Sequence, residues 1–325
     1  MTASRRVFLL GATGTIGRAT LRALLDRGHD VTCFVRHAGD GEARAAALRG
    51  ATVRTGDVTD PASLRRDGFR GEHFDAVVSC MASRTGAPKD AWAIDHRAHA
   101  HALTAAKAAD VTQFVLLSAI CVQKPMLAFQ HAKLAFETEL MASGLKYSIV
   151  RATAYFKSLS GQLERVRRGK PYLMFGDGRL TSCKPISDAD LAAYLADCID
   201  DTTRHDRILP IGGPGPAITP LEQGETLFAL TGRAPKYTRV PVAMLDVIIG
   251  VLSALGRVIP PLADKAEFAR IGRYYATESM LVLNPVTGHY DADATPETGS
   301  DTLAAYCEAL VRTGAGVDRG DHAVF

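Results

Sequence analysis

The sequence lacks the patterns that would indicate a metal centre, a disulfide scaffold or a nucleic-acid surface. Its six cysteines are scattered without a C-x-x-C pair, which excludes the common zinc and iron–sulfur motifs. Lysine and arginine (38) nearly balance aspartate and glutamate (35). Because no long run carries one sign of charge, we expect no nucleic-acid partner. The remaining composition is 47% hydrophobic, as in an ordinary globular chain with a full core.

The sequence also lacks an apolar run long enough to cross a bilayer. The best candidate, residues 242–255, is interrupted by Asp246, whereas a spanning helix needs about 20 apolar residues. We expect this run to form a buried helix or one that touches a membrane surface. The N-terminus passes through two arginines into a short apolar strand without a leader-like segment, so we expect a cytoplasmic protein.

Short β-branched runs alternate with helical patterns over the first half of the chain. The predicted strands are residues 7–10, 31–35, 52–54, 76–79, 114–117 and 147–150. Helical patterns begin near Ile16, Glu42, Pro61, Ala91 and Leu127. This alternation predicts an α/β fold with a doubly wound parallel Rossmann sheet. We expect a nucleotide-binding Rossmann domain over residues 1–155 and a smaller C-terminal substrate lobe, interleaved with the sheet edge, over residues 156–325.

A glycine-rich turn between the first strand and the first helix is the clearest motif. Its spacing is G-x-x-G-x-x-G, a variant of the dinucleotide fingerprint. Glycine lets the backbone approach a pyrophosphate, and the N–H groups of the new helix favour its negative charge. The residues predicted to bind the cofactor here are Gly11, Thr13, Gly14, Thr15, Ile16 and Gly17.

The ends of the later strands indicate which dinucleotide is bound. NAD-specific folds end the second strand on an acidic residue, but this strand ends on Arg36, whose guanidinium suits a 2′-phosphate. We therefore predict NADPH. Asp57 and Val58 are expected beside the adenine, and Met81 beside the nicotinamide ribose. Ser118, at the end of the fifth strand, is predicted to contribute a hydroxyl group.

The catalytic pair of ordinary short-chain dehydrogenases is incomplete. Those enzymes carry a tyrosine four residues before a lysine on one helix face, where the ammonium lowers the pKa of the phenol. Here Phe129 precedes Lys133. Lys133 is therefore predicted to orient the nicotinamide ribose, to supply a proton, or both. His96 and His99 share a helix face, but nothing nearby completes a metal site, so no metal is expected.

Several runs outside the cofactor motif are distinctive. They are residues 118–125, 129–136, 156–161, 183–187, 210–215, 273–279 and 291–296. These runs resemble the NADPH-dependent divinyl chlorophyllide a 8-vinyl-reductases, an atypical, NmrA-like branch of the short-chain dehydrogenases. The resemblance extends roughly from Val7 to Leu310 and includes irregular segments that a generic Rossmann domain has no reason to share. Phe156, in the third run, is a further expected cofactor contact.

The resemblance implies an enzyme of chlorophyll or bacteriochlorophyll synthesis, with a place at the periphery of photosynthetic membranes. It implies a tetrapyrrole substrate, a divinyl chlorophyllide or protochlorophyllide, whose 8-vinyl group becomes ethyl by hydride transfer and protonation. The macrocycle delocalises the intermediate charge, so Lys133, Tyr155 or a water can supply the proton. This chain has Ala152 where the family usually has proline and Tyr155 where it usually has phenylalanine.

Two alternatives stay open. One is another atypical reductase or epimerase, acting on a sugar nucleotide or a phenylpropanoid, although epimerases normally keep the tyrosine that Phe129 replaces. The other is a non-catalytic NADP-sensing regulator of the NmrA type, against which the retained Lys133 and the distal runs count. Residues 242–255 and 274–283 are candidates for the apolar wall of the substrate site. Both segments could equally form part of the hydrophobic core. The sequence does not indicate an oligomeric state.

Overall fold

A seven-stranded parallel sheet forms the centre of the molecule. A computed structural model describes residues 4–36 and 46–314. The strands are β1 Arg6–Leu10, β2 Asp30–Val35, β3 Thr52–Thr55, β4 Ala76–Ser79, β5 Gln113–Ala119, β6 Lys146–Ala152, β7 Tyr172–Phe175, β8 Arg207–Ile211, β9 Tyr237–Val240, β10 Val282–Leu283 and β11 Tyr290–Asp291. The sheet order is β3-β2-β1-β4-β5-β6-β8, and β7–β9 and β10–β11 form separate two-stranded sheets. The predicted doubly wound Rossmann fold is confirmed.

Helices cover both faces of this sheet. The α-helices are α1 Thr15–Asp26, α2 Pro61–Ser63, α3 Pro88–Ala91, α4 His99–Ala108, α5 Ala128–Met141, α6 Phe156–Leu159, α7 Leu163–Arg167, α8 Asp188–Asp197, α9 Pro220–Thr231, α10 Val242–Gly256, α11 Pro260–Thr277 and α12 Leu303–Thr313. Wider π-helical turns at Leu64–Phe69 and Trp92–Ala98 extend α2 and join α3 to α4. Short 3₁₀ turns lie at Ile120–Gln123, Ser160–Gln162 and Thr202–Arg204.

The alternation of side chains along β1 explains the two layers of core. Val7 and Leu9 point to one face, where they pack in a cluster with residues of α1 and α8. Phe8 and Leu10 point to the other face, where the Phe8 ring stacks on Phe69 with centroids 4.2 Å apart. All four side chains are fully buried. A strand buried on both faces reads as a continuous apolar run, which is why it was predictable.

All six predicted strands are present. Strand β4 has the predicted bounds, β1, β2 and β3 are each one residue longer, and β5 and β6 are each three residues longer. The helical pattern near Glu42 lies outside the described residues. The sequence did not predict β8, which pairs in parallel with β6 through neighbours such as Ile149 and Ile208. The sheet therefore draws on residues from both sides of position 155, and the domain boundary placed there stays a prediction.

The C-terminal half builds its own core beside the sheet. Phe156, Leu163 and Tyr172 pack there against residues of α9 and α12. Helices α10 and α11 pack against each other as a hairpin. Within residues 4–36 and 46–314, no helix combines the length and the apolar character that a bilayer crossing requires.

Candidate active site

A cavity of about 710 Å³ lies beyond the carboxyl ends of β1, β4, β5 and β6. This is where open α/β sheets bind their ligands. Eight residues of the predicted site line it: Gly14, Thr15, Ile16, Gly17, Met81, Ser118, Lys133 and Tyr155. Apolar and aromatic side chains of the C-terminal half close the other side, among them Met174, Phe268, Ile271 and Tyr275. The fold thus joins the glycine-rich turn, the lysine helix and an apolar wall in one space.

The glycines of the turn have different physical reasons to be glycine. Gly11 has φ +78°, and a Cβ there would lie 2.7 Å from the carbonyl carbon of Cys80. A Cβ at Gly17 would lie 2.0 Å from the carbonyl oxygen of Gly11. At Gly14 the nearest atom would be 3.5 Å away, an ordinary contact. Gly11 and Gly17 are therefore needed to close the turn, whereas Gly14 leaves open space on its cavity side.

Helix α1 begins against the cavity with its backbone N–H groups uncapped. Its N-cap residue Gly14 offers no side chain, and its first turn has no acidic residue. Such a terminus favours an anion. The Lys157 ammonium donates a hydrogen bond of 2.6 Å to Thr15 Oγ1 and lines the same cavity. This cation, which sequence reasoning missed, strengthens the fit of the turn to a pyrophosphate.

The structure corrects the expectation for Phe156. Its side chain is 3% exposed, its ring lies 5.6 Å from that of Tyr306, and it packs in the C-terminal core. The next residue, Lys157, faces the cavity because successive helical side chains are rotated by about 100°. The run 156–161 does contain a residue that lines the cavity, Lys157. The sequence alone did not show which side of this short helix faces the cavity.

Besides Gly11 and Phe156, four predicted cofactor residues lie outside the cavity lining. Arg36 follows β2 directly and is exposed, and Asp57 follows the neighbouring strand β3. Hydrogen bonds from Thr59, aided by the charge of Arg36, hold the pKa of Asp57 below its usual range. Val58 is buried in the sheet's second core cluster. The fourth, Thr13, is exposed.

Lys133 lies on the cavity wall and forms an ion pair that the sequence did not predict. Its Nζ lies 3.0 Å from Asp95 Oδ1, and the Asp95 side chain is fully buried. The backbone N–H of Ser83 donates to the same oxygen over 3.2 Å. Among the described residues, Asp95 Oδ2 has no hydrogen-bond partner. The ion pair with Asp95 therefore holds the Lys133 ammonium on the cavity side of α5, the helix that carries Phe129 in place of the usual tyrosine.

His99 lies near this pair, and both of its ring nitrogens form hydrogen bonds within the protein. Its Nδ1 donates to the Ile94 carbonyl oxygen over 2.8 Å, which leaves Nε2 to accept from Ser79 Oγ, also over 2.8 Å. Burial, together with the nearby Lys133 ammonium, lowers the pKa of His99 to about 4. His96, predicted on the same face, instead approaches Glu139 at 2.6 Å. The His99 ring is therefore neutral at pH 7 and is held in place by its hydrogen bonds to Ser79 of β4 and to the Ile94 carbonyl.

We expect stability to fall below pH 6.5 because of His99. The unfolded imidazole, with a pKa near ~6.5, takes up a proton more readily than the folded one. The contribution is therefore complete above that value and is lost as the pH falls toward about 4. Between pH 7 and pH 5 the loss is about 2 kcal/mol.

Urea unfolding at the two pH values measures this loss. His99→Gln is expected to reduce the pH dependence, while His73→Gln, at a histidine whose side chain is 56% exposed, should leave it unchanged. Equal pH dependence in wild type and His99→Gln would contradict the assignment.

Ser118 lines the cavity, but its hydroxyl is engaged elsewhere. It donates to Glu137 Oε1 over 2.5 Å, and Glu137 also forms an ion pair with Arg151. Glu137 is 1% exposed, so this arrangement is internal to the sheet and α5. A cofactor contact from Ser118 would therefore use its backbone.

Three tyrosines line the cavity. They are Tyr155, which was predicted as a proton source, Tyr172 of β7 and Tyr275 of α11. Burial raises the pKa of all three phenols above the usual value. All three therefore keep their protons at neutral pH. Phe129 lines the cavity beside Lys133, as its helical spacing predicted.

One expected wall of the cavity is absent and the other is present. No residue of α10 is buried and none lines the cavity, so the interpretation of residues 242–255 as a wall or as core is wrong. In the segment 274–283, Tyr275, Ala276, Glu278 and Met280 do line it. The hairpin therefore contributes to the cavity through α11 alone.

Comparison with known proteins agrees with this geometry. A family model described as NAD(P)H-binding matches residues 11–202. The NADPH complex of leucoanthocyanidin reductase from Vitis vinifera superposes with a TM-score of 0.67 at 16% identity, covering 94% of this chain and 99% of that one. That likeness concerns the fold.

Sequence relatives are much closer. The chloroplastic divinyl chlorophyllide a 8-vinyl-reductase of Oryza sativa subsp. indica is 51% identical, over 98% of this chain and 82% of the rice protein. Its counterpart from Arabidopsis thaliana is 48% identical, over 97% of this chain and 79% of that protein. The chain therefore belongs to the divinyl chlorophyllide a 8-vinyl-reductase family of NAD(P)H-binding proteins.

Proposed function

We propose that this protein uses NADPH to reduce the 8-vinyl group of a divinyl chlorophyllide, or of the corresponding protochlorophyllide, to an ethyl group. The observation that carries the proposal is the identity of 48–51% along almost the whole chain to plant proteins named for this reaction. The cavity supports it, because one wall suits a dinucleotide and the other offers apolar and aromatic side chains to a flat ring system.

The residues of the chain have separable tasks in this reaction. NADPH, when bound, supplies a hydride to the vinyl group. The glycine-rich turn and Lys157 bind the pyrophosphate, and Lys133, held by Asp95, orients the nicotinamide ribose. A proton then completes the ethyl group, delivered from Lys133 Nζ or from the protonated phenol of Tyr155. Orientation of the two reactants supplies most of the rate enhancement, because the macrocycle delocalises the charge that hydride transfer creates.

A direct assay tests the reaction. Purified protein, NADPH and 3,8-divinyl chlorophyllide a are mixed, and the Soret band is followed. Removal of one vinyl group from conjugation is expected to shift the band to the blue as NADPH is consumed. If NADPH binds and no shift follows with either tetrapyrrole, the proposal fails and an NADP-sensing regulator becomes the better interpretation.

Arg36 is proposed to select NADPH over NADH. Arg36→Asp is expected to lower kcat/KM for NADPH by about tenfold to a hundredfold, since a charge-assisted contact to the 2′-phosphate is worth roughly 1.5–3 kcal/mol. The same change should improve the use of NADH, because an aspartate carboxylate can accept a hydrogen bond from the ribose 2′-OH of that cofactor.

Arg49→Asp, a matched exchange at an exposed arginine, is the control and should leave the cofactor ratio unchanged. An unaltered NADPH to NADH preference in Arg36→Asp would remove Arg36 from the phosphate site. The cytoplasmic location expected from the sequence stays a prediction, and the plant relatives are named chloroplastic.

A further inference from the structure

Helix α10 turns a stripe of large apolar side chains toward solvent. We name this stripe, Met244, Val247, Ile248, Val251 and Leu255, the α10 outer face. Their exposed fractions run from 38% at Ile248 to 66% at Val247. Counted from Met244, the other four residues stand at i+3, i+4, i+7 and i+11, a spacing that places all five on one side of the helix. In an ordinary surface helix this is the side that carries the charges.

The polar groups of α10 are used on the opposite side, toward α11. Asp246 forms an ion pair with Arg273 of α11. Ser253 Oγ accepts a hydrogen bond of 2.7 Å from Arg270. These two contacts fix the rotation of α10 about its axis. The outward direction of the apolar stripe is therefore set by specific contacts within the hairpin.

Further large apolar side chains of the same hairpin are exposed outside α10. Val258 and Ile259 are 83% and 48% exposed in the turn between the two helices. Phe268 of α11 is 47% exposed and also lines the cavity. Globular proteins rarely leave so many large apolar side chains of one hairpin uncovered unless they bind something.

Length and charge indicate what the surface binds. The 15 residues of α10 extend over about 22 Å, too short for the ~30 Å hydrocarbon core of a bilayer. Between residues 233 and 273 the sequence has seven lysines and arginines against three acidic residues. Lys236 and Arg239 precede the helix, Arg257 follows it, and all three are exposed. An apolar helix with cations at both ends suits the interface of an anionic bilayer.

We infer that the α10 outer face docks this protein on an anionic lipid bilayer. The helix lies in the plane of the membrane, and its flanking cations contact lipid phosphates. A protein partner is less favoured, because protein interfaces pair polar groups about once per 100–200 Å² and the outer face has no polar side chain to pair. Because α11 packs against α10, docking places α11, whose Phe268 lines the cavity, close to the membrane. That the Phe268 side of the cavity admits an apolar ring from the bilayer rests on the proposed function.

Vesicle sedimentation with the full-length protein tests the docking. Vesicles of phosphatidylcholine, with and without phosphatidylglycerol, are pelleted in the absence of NADPH and substrate. The wild type is expected to bind, and more strongly when phosphatidylglycerol is present. Val247→Asn/Val251→Asn should lower the bound-to-free ratio at least about tenfold, because two apolar side chains lose their burial in lipid.

Matched variants separate the contributions. Val286→Asn makes the same exchange at a valine that is 92% exposed outside the hairpin, and should bind like the wild type. Arg239→Gln/Arg257→Gln should remove most of the gain from phosphatidylglycerol. Thermal melting by circular dichroism checks that each variant is folded. With detergent-dissolved substrate, the double valine variant should turn over like the wild type. Because sedimentation needs neither NADPH nor substrate, its result can be interpreted even if the assay of the proposed reaction fails.

Three results would overturn the inference. The first is wild-type protein that stays in the supernatant with both kinds of vesicle. The second is vesicle binding that survives unchanged in the folded double valine variant. The third is a concentration-dependent dimer in gel filtration that the double valine variant abolishes, without vesicle binding, since the outer face would then bind a second copy of the chain.

Discussion

Lys133→Met is expected to lower kcat by about 10²-fold to 10⁴-fold, the usual contribution of a positioned acid or base. Its Nζ is the charged group that the lysine helix presents to the cavity where the usual tyrosine is replaced by Phe129. The single variant also has a structural cost. It leaves the fully buried Asp95 carboxylate without its cation, which destabilises a fold by roughly 3–5 kcal/mol.

A double variant separates catalysis from folding. Lys133→Met/Asp95→Asn removes both charges, so it should recover most of the stability that the single variant loses. Its turnover should stay at the low level of Lys133→Met, and its melting temperature should approach that of the wild type. Lys107→Met, at an exposed lysine of α4, is the matched control with normal turnover. A double variant within about threefold of wild-type kcat, well under the factor expected for a catalytic acid, would show that Lys133 has only a structural role.

Gly17→Ala is expected to abolish cofactor binding together with stable folding. The new methyl carbon would lie 2.0 Å from the carbonyl oxygen of Gly11, so the turn must open and the start of α1 must move. Overpacking of backbone against backbone costs roughly 3 kcal/mol, a large part of the stability of a typical domain. Thermal melting and NADPH fluorescence titration measure the two losses.

Gly14→Ala separates the effect on cofactor binding from the effect on folding. Its φ of −72° and ψ of 165° suit alanine, and the nearest atom would be 3.5 Å from the methyl carbon. Stability should change by less than about 1 kcal/mol. NADPH affinity should nevertheless fall about tenfold, because the methyl group projects into the space at the N-terminus of α1, and that factor corresponds to about 1.4 kcal/mol. Unchanged affinity would mean that the pyrophosphate does not approach this turn.

The fold was predictable where burial imposes a local pattern. Strands β1, β2, β4, β5 and β6 are central in the sheet and show buried, largely apolar runs, because a central parallel strand is covered on both faces. Strand β8 was missed for the opposite reason. It lies at the edge of the sheet, has exposed residues at its start and contains Pro210, and proline in a run argues against a strand. Strand β3 lies at the other edge and was predicted from its β-branched residues.

The site was predictable only where its residues are neighbours in sequence. The glycine turn and the Phe129–Lys133 spacing are local patterns. Asp95 and Lys157 were missed because their partners, Lys133 and Thr15, lie on other elements, the latter 142 residues away in the chain. Helix α10 shows a further limit. The same apolar periodicity describes a buried face and an exposed one, and only the packing of α11 decides between them.

The position of β8 at the edge of the sheet also constrains how the protein is made. A nascent chain that has emerged as far as β6 carries the glycine turn and Lys133, yet the outer edge of β6 has no neighbour. Unpaired edges recruit other strands and promote aggregation. The outer edge of β6 is covered only when residues 207–211 have left the ribosome and pair with it as β8. Synthesis must therefore pass residue 211 before the sheet is protected, and fragments that stop near residue 155 are expected to accumulate as aggregates.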